Sequence, residues 1–313
     1  MNDDRDGAAR IVLDQAVLRR WPLPMPAPHD DKNGRGRILV IAGSREMPGA
    51  VILAARAALR AGAGKLTIAT GASVAQLVAL AIPESRVIGL PESAAGGITA
   101  PAVKLLGPLA GHFDAVLVGP GMQDEKQTCS FILALLQRVG ELPLILDACA
   151  MGVVRRQLQA VDPRQQTPPR YVTRFRSPVL LTPHAGEMAH LSASGKDEVL
   201  ADPCAAARAA AHRWNALVAL KGATTCIAAP DGRLWTHEGG NAGLATSGSG
   251  DVLAGLIAGL AARGAALEQA AAWGVTLHAL AGEQLARRLG PLGFMASELA
   301  AEVPALMHGL ASG

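Results

Sequence analysis

The stretch that decides the fold is RILVIAGSREMPGAVILAARAALRAGAGKLTIAT, residues 37–70. Residues 37–43 form an apolar run after Arg37, three of its residues are β-branched, and it ends at a glycine, which is typical of a buried strand. Residues 50–59 are mostly Ala, Leu, Ile and Val, and two arginines one turn apart mark the polar face of a predicted helix. KLTIAT (65–70) predicts a second strand. A strand, a helix and a strand of this kind indicate a parallel pair with the helix packed across it.

The same alternation continues along the chain. Further strands are predicted at 86–90, 114–121, 143–148, 179–183 and 216–222, and a hairpin at 225–239, turning at Asp231-Gly232. Helices are predicted at 72–80, 101–109, 129–139, 203–214, 249–262, 267–289 and 296–307. The fold class is therefore α/β, with a doubly wound, mostly parallel sheet of eight or more strands flanked by helices.

The domain organisation follows from the absence of a long Pro/Ser/Gly linker. We expect one domain over 31–313, preceded by a lead-in over 1–30 with one short amphipathic helix at about 11–20. The proline- and arginine-rich segment 160–177 has no helical period. It predicts a mobile surface insertion, the alternative being a lid or a subunit contact.

Composition excludes several classes of protein. The net charge is +3, which is too weak to indicate nucleic-acid binding. The first residues are acidic, and the longest apolar stretch, 252–262, is too short to span a bilayer, so a cytoplasmic protein without a membrane segment is expected. The four cysteines form no CxxC pair and have no histidines at zinc-ligand spacing, which predicts reduced, buried thiols.

The strongest chemical motif is NAGLATSGSGDVLAG, residues 241–255. A glycine-rich turn opens a predicted helix, and Asp251 stands in its first turn. Unpaired N–H groups and the helix dipole there suit a phosphoryl group in transfer, and Asp251 could take a proton from an attacking hydroxyl. The alternative is a plain turn in which the aspartate is the N-cap of the helix.

Weaker motifs follow other predicted strands. LKGATTCI (220–227) offers a lysine and two threonine hydroxyls for nucleotide phosphate or ribose, or else is an ordinary turn. In LLTPHAGEM (180–188), His184 stands at a strand's carboxyl end, where α/β sheets bind ligands, although a lone histidine is often structural. Glycine turns at 42–50 and 118–122 complete one crevice. No GxxxxGK[ST] or GxGxxG fingerprint is present.

Together and in order, these motifs resemble the NAD(P)H-hydrate dehydratase family, which belongs to the carbohydrate-kinase-like group of the ribokinase-like superfamily. The resemblance runs from Lys32 to the C-terminus. It is carried by KNGRGRILVIAGSR (32–45), GAVILAARAALRAGAG (49–64), Gly119-Pro120-Gly121, TPHAGE (182–187), KGATT (221–225) and NAGLATSGSGDVLAG (241–255).

The resemblance implies an enzyme, a hydro-lyase, that uses ADP as co-substrate, with Mg²⁺, to dehydrate the S epimer of NADH or NADPH hydrate. The products would be NADH or NADPH, AMP and phosphate. The catalytic base would be Asp251. The substrate contacts would be Ala50, Gly121, His184 and Asp251. The nucleotide contacts would be Lys221, Gly222, Ala223, Thr224, Thr225 and Gly250. The Mg²⁺ ligands are not specified by the motifs.

The resemblance also implies partners. Relatives are often homotetramers, and many bacterial relatives carry a fused epimerase domain. This chain has no room for such a domain, so a separate epimerase is expected to convert the other hydrate epimer.

The sequence departs from the family after the fifth strand. Relatives commonly have DADAL followed by Asn, whereas this chain has DACAMG (147–152), in which Cys149 replaces a carboxylate and Gly152 an amide. Two rival functions stay open at this point. One is a small-molecule alcohol kinase of the same superfamily, and the other is a nucleotide-binding protein without catalytic activity.

Overall fold

The computed structural model describes residues 10–27, 32–155 and 171–311. These residues contain ten strands. They are β1 (Arg10–Val12), β2 (Arg37–Ile41), β3 (Lys65–Gly71), β4 (Ser85–Leu90), β5 (Ala115–Val118), β6 (Leu144–Leu146), β7 (Val179–Leu181), β8 (Leu217–Leu220), β9 (Thr224–Ala228) and β10 (Leu234–Glu238). All ten belong to one sheet, in the order β1-β10-β9-β8-β7-β6-β5-β2-β3-β4.

The sheet is mostly parallel. β9 is antiparallel to both of its neighbours, β8 and β10, and the remaining neighbouring strands are parallel. The predicted hairpin is confirmed as β9 and β10. The strand order reverses at β2, which has β3 on one side and β5 on the other. In doubly wound sheets, ligands bind at the carboxyl ends of the strands at such a switch point.

Helices cover both faces of the sheet, which confirms the predicted fold class. They are α1 (Gln15–Arg19), α2 (Pro48–Arg60), α3 (Ala75–Ala81), α4 (Glu125–Val139), α5 (Ala185–Ser192), α6 (Lys196–Ala201), α7 (Pro203–Trp214), α8 (Ser249–Ala262), α9 (Leu267–Leu289) and α10 (Ala296–Ala311). Helices α2, α8, α9 and α10 pack on one another on one side, and α4 and α7 lie on the other.

Strand β2 contributes side chains to the apolar cores on both faces of the sheet. Ile38 and Val40 point into one apolar core and Leu39 and Ile41 into the other, and all four are fully buried. A strand places successive side chains on opposite faces, so a continuous apolar run is required where both faces are covered. The apolar residues of this run are therefore buried on both faces, and β2 is the third strand from the β4 edge of the sheet.

Two predicted helices have different forms in the structure. The helix predicted at 11–20 is shorter, because Arg10–Val12 extends the sheet as β1, with Arg10 opposite Leu234 of β10. The helix predicted at 101–109 is a 3₁₀ helix, Ala100–Leu106, that ends at Gly107 with a φ of +68°.

No helix in the described part of the chain combines the length and apolar character needed to cross a membrane.

The prediction for segment 160–177 falls partly on residues 156–170, which lie outside the described residues. The described part packs onto the domain. Phe175 is buried, and its N–H donates to the Trp214 carbonyl at 2.8 Å.

The prediction of four reduced thiols is wrong for two of them. Cys204 at the start of α7 and Cys226 in β9 form a disulfide, with their Cα atoms 5.4 Å apart. The packing of α7 against β9 brings them together, although they are 22 residues apart in the chain. Cys129 and Cys149 are free thiols, both half-buried.

Candidate active site

Two glycine turns meet at the switch point between β2 and β5. Gly43, after β2, donates its N–H to the Pro120 carbonyl at 2.7 Å. Gly121 has a φ of +65°, and a Cβ on it would lie 2.5 Å from the Cβ of Ala50. The structure therefore brings together Ala50 and Gly121, the two predicted substrate contacts of this turn. Their lack of side-chain bulk lets a ligand approach the backbone closely.

The third glycine turn precedes α8. Gly248 is the N-cap residue with a φ of +87°, and no side chain caps the helix. The interpretation of Asp251 as N-cap is wrong, because Asp251 is the third helical residue. An uncapped helix N-terminus presents N–H groups and positive dipole potential, which favour a phosphate or another anion. Asp251 stands beside that potential.

Asp251 has the chemistry of a general base. Burial and then the negative charge of Asp147 raise the pKa of Asp251 to about 6, and the positive charge of Lys221 opposes them. A carboxylate with a pKa near the working pH is both ionised and basic enough to accept a proton. The environment of Asp251 therefore suits proton transfer better than that of an ordinary surface aspartate.

Lys221 lies between two carboxylates. Its Nζ is 3.3 Å from Asp147 Oδ1 and 3.8 Å from Glu187 Oε2. Thr182 donates its hydroxyl to the same Asp147 oxygen at 2.6 Å. A Cβ on Gly250 would lie 3.4 Å from Nζ, so the ammonium group touches the first turn of α8.

The charge of Lys221 is secured by its neighbours. Burial alone would lower its pKa, but Asp147, Glu187 and Asp251 together outweigh burial and raise the pKa of Lys221 above its ordinary value. Lys221 therefore stays protonated beside the uncapped turn. A fixed ammonium group at this position can hold a phosphate oxygen.

His184 has a structural role at the edge of the same cluster. It is the N-cap of α5, and its Nδ1 accepts hydrogen bonds from the N–H groups of Gly186 and Glu187 at 3.0 and 3.2 Å. Because Nδ1 is an acceptor, the ring proton of the neutral form is on Nε2. The backbone N–H of Lys221 donates to the carbonyl of Pro183, the residue before His184, at 2.8 Å. The side chain is more than half exposed, and its Nε2 lies 3.6 Å from Glu187 Oε2.

A cavity of about 830 Å³ extends from this cluster. It is lined by His184 and by most of the predicted nucleotide contacts, namely Lys221, Gly222, Ala223, Thr225 and Gly250. Thr224 is not among the lining residues, since it lies at the start of β9 opposite Glu238. Ala50, Gly121 and Asp251 also lie outside this lining. The cavity lined by the predicted nucleotide contacts, which we call the nucleotide cavity, is thus separate from the glycine turns after β2 and β5.

Residues 38–305 match the protein family described as NAD(P)H-hydrate dehydratase, of the carbohydrate-kinase type. The chain belongs to this family. It is therefore an enzyme of the hydro-lyase class, and the resemblance that the motifs indicated is confirmed.

Individual relatives agree with the family. The dehydratase is 46% identical to the ADP-dependent (S)-NAD(P)H-hydrate dehydratase of Xanthomonas campestris pv. campestris, over 95% of this chain and 96% of the relative. It is 37% identical to the bifunctional NAD(P)H-hydrate repair enzyme of Moorella thermoacetica over 94% of this chain, but spans only 53% of that longer protein. A crystal structure of the ADP/ATP-dependent NAD(P)H-hydrate dehydratase of Bacillus subtilis, co-crystallised with ATP/Mg²⁺, superposes with a TM-score of 0.77 at 29% identity and covers 96% of this chain and 98% of that one.

The sequence motifs of the dehydratase missed part of the nucleotide cavity. His237, Asn241, Ser249 and His278 also line it. Asn241 is the first residue of the strongest motif, and that position could have indicated that it lines the cavity. His237 and His278 come from the interior of β10 and α9, where no motif signals a ligand contact. His278 Nε2 lies 3.0 Å from Ser249 Oγ, and burial lowers the pKa of His278 to about 4, so the ring is neutral.

The two family departures border one small cavity of about 270 Å³. Cys149 and Gly152 line it together with Glu125 and Glu187. A Cβ on Gly152 would lie 2.7 Å from Glu125 Oε1, so the space left by the missing amide is taken by the Glu125 carboxylate. A carboxylate is thus present beside both departures, although it comes from α4.

Proposed function

We propose that this dehydratase uses ADP to dehydrate the S epimer of NADH or NADPH hydrate, and that it releases NAD(P)H, AMP and phosphate. The observation that carries the proposal is Asp251, whose pKa is raised to about 6 beside the uncapped N-terminus of α8 and the ammonium group of Lys221. A base, an anion-binding turn and a fixed cation are the parts that phosphoryl transfer from a nucleotide requires.

The reaction begins with proton transfer. Asp251 takes the proton from the hydroxyl group on the reduced nicotinamide ring, and that oxygen attacks the β-phosphorus of ADP. The bond from the β-phosphorus to the oxygen shared with the α-phosphate breaks, and AMP leaves. The backbone N–H groups at the start of α8 and the ammonium group of Lys221 stabilise the charge on the transferring group.

Elimination completes the reaction. The ring carbon–oxygen bond breaks, phosphate leaves with the electron pair, and a proton leaves the neighbouring carbon, which restores the ring double bond. Phosphate is a far better leaving group than hydroxide. The glycine turn at Gly121, packed against Ala50, provides the space for the ring, and His184 Nε2–H offers a hydrogen bond to the substrate.

Mg²⁺ fits the donors present here. Within residues 10–27, 32–155 and 171–311, no three His, Cys, Asp or Glu side chains form a metal cage. Mg²⁺ commonly binds one or two carboxylates together with substrate phosphates. Asp147 and Glu187 would hold it beside the diphosphate. When bound, the ion would neutralise charge on the phosphate oxygens.

The location, oligomeric state and partner enzyme are also part of the proposal, and they are inferred from the resemblance to the family. The chain would act in the cytoplasm as a homotetramer, and a separate epimerase would supply the S epimer from the R epimer. Size-exclusion chromatography with light scattering tests the tetramer directly.

The decisive experiment mixes the enzyme with NADH hydrate, Mg²⁺ and ADP. The absorbance band of reduced nicotinamide should recover, with one AMP and one phosphate formed for each NADH. ATP in place of ADP should give a slower reaction. Nucleotide consumption with a stable phosphate ester and no recovery of the band would instead indicate the kinase. Binding without nucleotide consumption would indicate a protein without catalytic activity.

A further inference from the structure

The wall of the nucleotide cavity contains two polar atoms without partners. Within the described residues, His237 Nε2 and Asn241 Nδ2 are buried and have no hydrogen-bond partner, and both side chains line the cavity. A buried polar atom without a partner costs free energy, so such atoms in a cavity wall commonly meet a ligand. They are four residues apart, on β10 and the loop that follows it.

The chemical role of Asn241 is determined by its other amide atom. The side-chain oxygen of Asn241 accepts the N–H of Gly243 at 2.9 Å. Only the oxygen of an amide can accept a hydrogen bond, so the nitrogen Nδ2 is the atom left without a partner. Asn241 therefore offers a donor to the cavity.

His237 offers the opposite function. Its Nδ1 lies 3.4 Å from the Leu13 carbonyl oxygen, which can only accept, so Nδ1 carries the proton. Burial lowers the pKa of His237 below its ordinary value, so the ring is neutral. Its Nε2 is then a bare acceptor. The ring is only 8% exposed, so its orientation is held by the surrounding protein.

The position of His237 relates it to the predicted nucleotide contacts. On the β9–β10 hairpin it is the direct cross-strand partner of Thr225, which lines the same cavity. A Cβ on Gly239 would lie 2.7 Å from His237 Nε2, so a glycine at this position avoids a steric contact with this buried nitrogen. Lys221, Gly250 and His237 all line this one cavity.

We propose that His237 and Asn241 select the base of the nucleotide. His237 Nε2 accepts a hydrogen bond from the exocyclic amine of adenine, and Asn241 Nδ2 donates to an adjacent ring nitrogen. Adenine presents an amine donor next to a ring-nitrogen acceptor, whereas guanine and hypoxanthine have a carbonyl oxygen in place of that amine. With the phosphates held at Lys221, that carbonyl oxygen would face the lone pair of His237. This inference rests on the proposed use of ADP.

The test compares the binding of ADP and inosine diphosphate (IDP) to the full chain by calorimetry. IDP differs from ADP at the amine that His237 is expected to recognise. Wild-type protein should bind ADP roughly 5- to 100-fold more tightly than IDP, the effect of one buried acceptor left unsatisfied. The substitution His237→Phe should weaken ADP binding toward the level of IDP and leave IDP binding unchanged. Any preference that remains is due to the N1 proton, which hypoxanthine has and adenine lacks.

Two further variants separate recognition from packing. His237→Gln keeps an acceptor at nearly the same position and should retain most of the preference for ADP. Thr276→Val removes a hydroxyl 3.4 Å from His237 Nδ1 without touching Nε2, so its preference should equal that of wild type.

Each outcome has one meaning. Equal binding of ADP and IDP by wild-type protein, or equal weakening of both by His237→Phe, overturns the inference and leaves the proposed function intact. Failure of wild-type protein to bind ADP at all overturns both. If His237→Phe does not fold, the wild-type preference and the His237→Gln variant decide. A wild-type preference for ADP that His237→Gln retains supports the inference, and one that it abolishes overturns it.

Discussion

The crevice of this dehydratase has two sides that are built in opposite ways. The charged side consists of Asp147, Glu187, Lys221 and Asp251. The glycine side consists of Gly43, Ala50, Gly119 and Gly121. On the charged side, each group sets the pKa of another, as Asp147 does for Asp251. On the glycine side, the three glycines lack side chains, and their backbone has positive φ values that a side chain would strain.

The difference predicts how each side responds to substitution. Replacing a charged residue by its neutral isostere preserves shape and changes chemistry, so rates and pH profiles should change more than stability does. Adding one methyl group on the glycine side preserves charge and changes shape, so stability and fit should change first. The experiments below test this contrast, from the largest expected effect to the smallest.

The largest effect is expected from Asp251→Asn. The amide keeps the shape of the side chain but cannot accept the substrate proton, so kcat should fall roughly 100- to 10,000-fold. Binding of ADP, measured by calorimetry, should be largely kept. Asp197→Asn on the exposed surface of α6 is the matched control and should retain full activity. A near-normal rate for Asp251→Asn would remove Asp251 from the role of base.

The disulfide ties β9, next to Thr225 of the nucleotide cavity, to α7. Reduction should lower the free energy of unfolding by about 2–4 kcal/mol, because the unfolded chain loses a cross-link. Denaturation with and without reductant measures this directly. The Cys204→Ser variant should have the lower free energy of unfolding both with and without reductant. If reductant has no effect on wild-type protein, the pair is already reduced in solution.

On the glycine side, Gly121→Ala should lower the free energy of unfolding by about 1–3 kcal/mol. Gly121 has a φ of +65°, and the new methyl group would press against Ala50. Gly49→Ala is the matched control, because Gly49 is in the first turn of α2 and a Cβ there meets nothing within 4 Å. Urea denaturation should separate the two variants. Equal stability of both would contradict the steric argument.

The pH dependence of kcat/KM tests the coupling on the charged side. As the proposed base, Asp251 would act in its ionised form, so activity should be full above its pKa and fall as the pH drops through about 6. Asp147→Asn removes the negative charge that raises this pKa and frees Lys221 to lower it further. The acid limb should therefore move to lower pH. An unchanged limb would show that Asp147 does not act on Asp251.

Much of the molecule could be predicted from short-range patterns. The run at 37–43 had to be a doubly buried strand, and glycines at strand ends had to form turns, because both follow from local steric rules. The motif at 241–255 located the uncapped helix for the same reason. These features depend on neighbours in the chain, and the sequence contains that information.

Features that depend on distant contacts could not be predicted in this way. The pairing of Arg10 with Leu234 joins segments more than 200 residues apart, and it turned part of a predicted helix into β1. The Cys204–Cys226 bond depends on the packing of a helix against a strand. The position of His237 in the cavity wall depends on Gly239, which has no Cβ to crowd its Nε2, and on Leu13, whose carbonyl lies 3.4 Å from its Nδ1. None of these contacts leaves a local pattern.

The smallest effect is expected from Cys149→Asp, which restores the carboxylate that relatives commonly have at this position. Burial raises the pKa of the Cys149 thiol, and the negative charge of Glu125 adds to this, so the position disfavours a second anion. The variant should lose about 1 kcal/mol of unfolding free energy. Its half-saturating Mg²⁺ concentration should match that of wild type, because Glu125 already places a carboxylate beside this position. Cys149→Ser, which adds no charge, is the control for polarity alone. A fully stable Cys149→Asp variant that needs less Mg²⁺ would show that position 149 belongs to the charged side of the crevice.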